Sequence, residues 1–188
     1  MFPAADYMIH RRPFYFTSVR MHSTRTHSTE QGHSEGFQNY YLADGATMLY
    51  QTGHEYLNIF AAWDWRKIPG VTCEDSGAPV PYIGWNEREQ RRGRTDFAGG
   101  ISDGEYGTAA MMLDKDGVKA RKAWFFFDEG YVCLGAGIDG SAVSAPLVTA
   151  VNQSLLASEV LAADNTGVRA VTGEQKFAGA CGIVHDRT

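Results

Sequence analysis

The stretch 22–35 holds the densest group of side chains in this sequence that could do chemistry. It contains three histidines and two glutamates, His22, His27, His33, Glu30 and Glu35. Imidazoles and carboxylates in one polar loop are typical of an acid/base site or a metal site. No His-x-His pair occurs here, so we predict no metal and no cofactor, and a solvated loop is the alternative.

Two tryptophans, Trp63 and Trp65, flank Asp64. Aromatic faces stack on the apolar C–H faces of sugar rings, so the pair predicts a carbohydrate contact. The alternative is packing beneath a loop, because tryptophan is highly buried on average.

The charged run 87–94 contains four arginines interspersed with two glutamates. Guanidinium groups pair with carboxylate and sulfate in a forked geometry. Arg88, Arg91 and Arg92 are therefore predicted contacts to an acidic polymer. Because the glutamates weaken this interpretation, a solvated charged loop is the alternative.

β-Structure must position these residues, because the dominant hydrophobic period is two. In residues 118–127, Val118, Ala120, Trp124 and Phe126 fall on one face. This strand, with strands at 107–113 and 131–138, predicts an antiparallel meander. Further strands are expected at 6–10, 14–21, 40–42, 47–50 and 183–188, and short helical turns are possible at 56–62 and 154–163.

Composition excludes several classes of protein. The net charge of -5 and the lack of a long basic cluster argue against nucleic acid as a partner. No apolar stretch approaches the roughly 20 residues needed to cross a bilayer, and no signal peptide is visible at the N-terminus. The three cysteines, Cys73, Cys133 and Cys181, are expected to be small buried side chains without a disulfide. A single all-β domain is the simplest organisation.

Four segments in order carry a family resemblance: 19–26 (VRMHSTRT), 40–47 (YYLADGAT), 63–72 (WDWRKIPGVT) and 97–107 (FAGGISDGEYG), the last continuing to 122–128 and 133–138. The series resembles the central β-domain of polysaccharide lyase family 8, the chondroitin, hyaluronate and xanthan lyases, and is most similar to the chondroitin lyase branch. The resemblance implies an antiparallel β-sandwich of the supersandwich, galactose-mutarotase-like type. It also implies that residues 1–188 are part of that domain, truncated at both ends.

In that family an α/α toroid precedes the β-domain and supplies the Asn, His, Tyr and Arg that do most of the chemistry. The β-domain contributes one glutamate that orients these groups, and by position this residue is Glu35. The family context has asparagines just before the glutamate, whereas this chain has His33 and Ser34. The catalytic toroid itself is not among these residues.

The resemblance therefore implies a fragment of a carbon–oxygen lyase that cleaves acidic polysaccharides such as chondroitin sulfate or hyaluronan by β-elimination. We expect it to be inactive alone, to need a helical toroid as partner, and to derive from an extracellular or periplasmic parent. A non-catalytic carbohydrate-binding module using Trp63, Trp65 and the arginines of the 88–94 loop is one alternative. A self-sufficient lyase using His33 with Tyr40 or Tyr41 as base and acid is another.

Overall fold

Antiparallel strands dominate the structure, a computed structural model that describes residues 1–179 and 181–185; the side chain of Arg88 lies outside the described part. The chain divides into two compact units, Met1–Gln153 and Ser154–Thr188. Each strand pairing among the described residues is antiparallel. The predicted all-β antiparallel fold is confirmed.

The strands are β1 (Tyr7–Arg12), β2 (Tyr15–Arg20), β3 (Ala46–Tyr50), β4 (Thr72–Glu74), β5 (Ala98–Ser102), β6 (Gly107–Lys115), β7 (Val118–Phe126), β8 (Tyr131–Asp139), β9 (Leu147–Thr149), β10 (Val160–Asp164), β11 (Gly167–Ala170) and β12 (Gly182–His185). Short 3-10 helices cover Pro3–Ala5, Asn39–Tyr41 and Trp85–Arg91. In the first unit the sheet orders are β1-β2-β3, β4-β9 and β5-β6-β7-β8.

The β6–β7 hairpin is the most regular part of the first unit. Its two nine-residue strands pair from Gly107 opposite Phe126 to Lys115 opposite Val118. The turn between them uses Asp116 and Gly117, both with positive φ, which matches the right-handed twist of the strands. Along β7 every second residue is buried, as the sequence period predicted.

One core lies between the β1-β2-β3 and β5-β6-β7-β8 sheets. Met8 and Val19 come from the first sheet, and Met111, Trp124 and Phe126 from the second. All five are at most 1% exposed. Because these side chains come from the alternate positions of facing strands, the two sheets form a sandwich.

A second core stabilises the long connections between the sheets. Its buried members are Tyr40, Tyr41, Ala46, Tyr56, Ile59, Trp63, Ile68, Val71, Cys73 and Ile83. Most of these residues lie outside strands, so the loops of this region have a hydrophobic core of their own. This core gives the irregular segments a fixed position beside the sandwich.

Several local predictions are wrong. The strand expected at 40–42 is a 3-10 helix, whose tyrosine rings pack edge to face with centroids 4.9 Å apart. Residues 56–62 form non-helical turns, and part of 154–163 is strand β10.

The cysteines are free, and of the three Cys73 is buried. Cys133 and Cys181 are exposed, contrary to the expectation of burial. Cys133 lies on β8, which has no buried residue, so neither face of this strand is covered in the described part of the chain.

The second unit is a small sheet with the order β11-β10-β12. Ala162 at the centre of β10 is fully buried. The strand predicted at 183–188 coincides with β12 as far as His185, and residues 186–188 lie outside the described residues. Over the described residues, no helix has the length and apolar character needed to cross a membrane.

Candidate functional site

The candidate site begins at a polar anchor below the histidine-rich loop. The carboxylate of Asp6 is fully buried and accepts hydrogen bonds from the hydroxyls of Ser23 (2.6 Å) and Thr26 (2.8 Å). Arg25 also forms an ion pair with this carboxylate. A buried carboxylate needs such donors to replace its lost water. The 19–26 segment therefore fixes where the loop leaves β2.

Glu35 closes a tight turn at the far end of this loop. The Glu35 amide donates to the Gly32 carbonyl at 2.8 Å, and the two residues form an isolated antiparallel bridge. His33 and Ser34 between them have φ values of 49° and 63°. The left-handed region disfavours non-glycine residues, so the surroundings must hold this turn in place. The Glu35 side chain itself is exposed.

The base of the turn is fixed by buried polar contacts. The Gln31 side chain is 3% exposed, accepts from the Ile83 amide at 2.8 Å and donates to the Pro81 carbonyl at 3.0 Å. The Arg91 guanidinium donates to the Gln31 carbonyl. These bonds join the histidine-rich loop to the segment 81–91, which is 50 to 60 residues away in sequence.

Aromatic rings occur on both sides of Glu35 along the chain. His33 contacts the Trp85 ring at 4.9 Å between centroids, and Phe37 contacts the Tyr82 ring at 5.0 Å. Phe37, Tyr82 and Trp85 are 53%, 39% and 53% exposed. We call these four side chains the aromatic platform. Exposed rings of this kind are suited to stacking on sugars.

Sequence reasoning missed three of these rings. Tyr82 and Trp85 lie just before the charged run 87–94, and Phe37 stands alone between Gly36 and Gln38. No period of two or of 3.6 connects them. The available signal was the presence of large aromatic residues in non-periodic polar segments, which do not need them for a strand or helix face.

The two predicted tryptophans lie elsewhere. Trp63 is 6% exposed and packs edge to face against Tyr56 and Phe60 in the second core. Trp65 is half-buried and stacks on Phe60 at 5.5 Å. The packing alternative thus describes the position of Trp63. A substrate contact by either tryptophan stays a prediction.

The predicted arginines lie in different environments. Arg91 is 4% exposed, and its guanidinium lies 5.6 Å from the centre of the Trp85 ring. Arg92 is exposed, pairs with Glu89 at 3.3 Å and donates to the Thr24 carbonyl at 3.1 Å. The side chain of Arg88 lies outside the described part. Contacts of these arginines to a polymer stay predictions. The buried Arg91 guanidinium already contacts the Gln31 carbonyl and the Trp85 ring.

Asp44 is a second buried acidic residue. Its carboxylate lies 3.1 Å from His22 Nδ1 and 2.9 Å from Lys115 Nζ. Burial by itself would raise the pKa of Asp44, but Lys115 and His22 hold it below its usual value. The Asp44 carboxylate is therefore a structural charge beneath the surface.

The buried tyrosines give no support to a self-sufficient acid/base pair. Tyr40 donates to Asp116 at 2.7 Å, and the Tyr41 hydroxyl accepts from Arg66 at 2.6 Å. Burial first, and then nearby acids, raise the pKa of Tyr40, while burial raises that of Tyr41 against the opposing effect of Arg66. Both phenols are about 95% covered, whereas His33 is exposed at the turn.

Comparison with known proteins agrees with this architecture. The family described as polysaccharide lyase family 8, super-sandwich domain, matches residues 1–188. Chondroitinase-AC of Pedobacter heparinus is 45% identical over 184 residues, which cover 96% of this chain and 25% of the relative. A hyaluronate lyase of Thermasporomyces composti is 32% identical over 155 residues, covering 76% of this chain and 19% of that protein.

Solved structures show the same likeness. A chondroitinase AC lyase structure, determined with oligosaccharide complexes, superposes with a TM-score of 0.83 at 42% identity, covering 97% of this chain and 26% of that one. The Streptomyces coelicolor A3 chondroitin AC lyase gives 0.74 at 29% identity, covering 92% and 23%. The chain thus spans about a quarter of the length of these relatives. It belongs to polysaccharide lyase family 8 and corresponds to the super-sandwich domain of that family.

Proposed function

We propose that this chain is the β-sandwich part of a carbon–oxygen lyase that cleaves an acidic polysaccharide, such as chondroitin sulfate or hyaluronan, by β-elimination. The supporting observation is the exposed carboxylate of Glu35 at the end of a constrained turn, with the aromatic platform around it. The relatives are chondroitin, hyaluronate and xanthan lyases. An enzyme encounters such a polymer outside the cytoplasm, so we propose an extracellular or periplasmic location for the parent protein.

The chemistry requires more than this chain provides. Removing the C5 proton of a uronic acid needs a cation or donor that neutralises the uronate, a base for the proton and an acid for the leaving oxygen. Glu35 is an anion and cannot neutralise another carboxylate. The formal charge of -5 also disfavours approach of a polyanion. We therefore propose that a helical toroid supplies the reacting groups and that the chain alone is inactive.

On this proposal Glu35 acts through its partners. A carboxylate beside the histidine or arginine of the opposite wall would fix their orientation and protonation. The aromatic platform would hold sugar rings by stacking on their C–H faces. Binding and orientation are then the contributions of this chain, and proton transfer belongs to the toroid.

A domain exchange tests the proposal. The full 188-residue chain replaces the matching segment of the Pedobacter heparinus chondroitinase-AC, and release of unsaturated uronate is followed by its ultraviolet absorbance. We expect the exchanged enzyme to form product and the isolated chain to form none. Glu35→Gln should lower kcat about 10- to 100-fold, whereas Glu105→Gln, an exposed glutamate after β5, should not.

The alternative is a non-catalytic carbohydrate-binding module, which the exposed rings of the platform also suit. Binding of chondroitin sulfate by the isolated chain, combined with a folded but inactive exchanged enzyme, would favour the module. Product formation by the isolated chain would refute the division of labour between the two domains.

A further inference from the structure

The turn that presents Glu35 has an unfavourable backbone conformation. His33 and Ser34 both occupy left-handed backbone conformations, and neither is a glycine. A two-residue hairpin turn of this hand favours Asn-Gly or Gly-Gly, so the local sequence does not specify it well. The chain must therefore hold the turn through tertiary contacts, and these contacts can be identified.

Arg91 makes two of them. Its Nη1 atom donates to the carbonyl of Gln31, the residue immediately before the turn. Its guanidinium also lies 5.6 Å from the centre of the Trp85 ring, which in turn contacts His33 at 4.9 Å. One guanidinium thus supports the turn from its base and, through Trp85, from its side.

The surroundings of Arg91 fit a specific role for this residue. Its side chain is 4% exposed, and none of the ion pairs among the described residues includes it. The Nε atom is buried and has no hydrogen-bond partner among the described residues. A buried unpaired cation is costly, so packing alone does not account for an arginine at this position.

We propose that Arg91 is a positioning residue for Glu35: it clamps the Gly32–Glu35 turn through the Gln31 carbonyl and the Trp85 ring. The clamp rests on the proposed function for its catalytic meaning, but its structural part stands independently. The Gln31 side chain also holds the start of this turn, because it is hydrogen-bonded to Pro81 and Ile83.

Hydrogen exchange on the full chain tests the structural part. The reporters are the Glu35 amide, bonded to the Gly32 carbonyl, and the Ile83 amide, bonded to Gln31 Oε1. In Arg91→Gln we expect exchange at both amides to rise about tenfold or more, with exchange in β6 and β7 unchanged. Arg20→Gln, which removes an exposed arginine on β2, is the matched control and should leave all of these rates unchanged.

Arg91→Lys is the second variant, to be used as the primary one if Arg91→Gln does not fold. Lysine keeps the charge but lacks the planar fork, so we expect it to protect the turn only in part. Equal acceleration throughout the first unit would show a global packing role and overturn the proposal. Unchanged exchange at Glu35 and Ile83 would overturn it as well.

The domain-exchanged enzyme tests the catalytic part. Misplacing a supporting group by about 1 Å can cost about 100-fold in rate. We therefore expect Arg91→Gln to lower kcat about 10- to 100-fold with less than about a threefold change in KM, and Arg91→Lys to recover part of it. A fully active Arg91→Gln enzyme would refute the positioning role. If the domain-exchanged enzyme is inactive before any substitution, the proposed function is refuted. The hydrogen-exchange result on the isolated chain would still decide the structural part of the proposal.

Discussion

The β6–β7 hairpin and the Gly32–Glu35 turn are both antiparallel pairings closed by two-residue turns, but different forces hold them. The hairpin pairs over nine residues on each strand, and alternate β7 side chains are buried in the sandwich. The turn consists of one bridge and depends on side chains that bond to backbone atoms far away in sequence. Repeated burial stabilises the hairpin, whereas the exposed turn depends on a few specific bonds.

Removing a core ring should give the largest effect on stability. Trp124 is 1% exposed, and its Nε1 donates to Thr47 Oγ1 at 3.0 Å. Trp124→Ala should lower the free energy of unfolding by about 3–5 kcal/mol, because it leaves a cavity between the sheets. Denaturant unfolding measures this, with Lys119→Ala on the exposed face of β7 as the control. A loss below about 1 kcal/mol would contradict the sandwich core.

Neutralising the buried acid should have a somewhat smaller effect that depends on pH. Asp44→Asn removes the anion that lies beside His22 and Lys115, which should cost about 3 kcal/mol near neutral pH. Lys115 and His22 keep the pKa of Asp44 low despite its burial. The stability from this carboxylate is therefore complete above the pKa of the unfolded chain and is lost as the pH falls through the lower folded pKa.

Unfolding curves between about pH 7 and pH 3 check this prediction. The unmodified chain should lose stability toward the acidic end, and Asp44→Asn should show a shallower dependence. Asp96→Asn, at an exposed carboxylate in the loop before β5, serves as the control for general acid effects. Parallel curves for the unmodified chain and Asp44→Asn would contradict the assigned charge network.

A change in the turn should have the smallest effect on global stability. Gly36 has a φ of 69°, and a Cβ there would meet the Glu30 carbonyl oxygen at 2.3 Å. Gly36→Ala should cost about 1–2 kcal/mol and act locally. Exchange of the Glu35 amide should rise while β7 stays protected. Gly53→Ala, where φ is 91° but a Cβ meets nothing, separates backbone strain from the clash.

Much of the fold could be predicted from the sequence. The alternation in residues 118–127 located β7 and its buried face, and the turn signals located both of its neighbours. The prediction of a strand at 40–42 was wrong because the two tyrosines and the leucine show no period. Tertiary packing instead places the tyrosines in a 3-10 helix. Burial of Trp63 was available from the sequence as the packing alternative, whereas burial of Arg91 could not be predicted, since its covering residues come from distant segments.

The sequence by itself determined the all-β class, the order of the main strands and the family, because period-two patterns and ordered motifs are local properties of the chain. Only the tertiary structure decided which side chains reach the surface beside Glu35. The aromatic platform and the Arg91 contact join residues 31–37 to residues 81–91, and no local pattern connects them. Contacts between distant segments depend on how the second core packs the loops, which is a property of the whole folded unit.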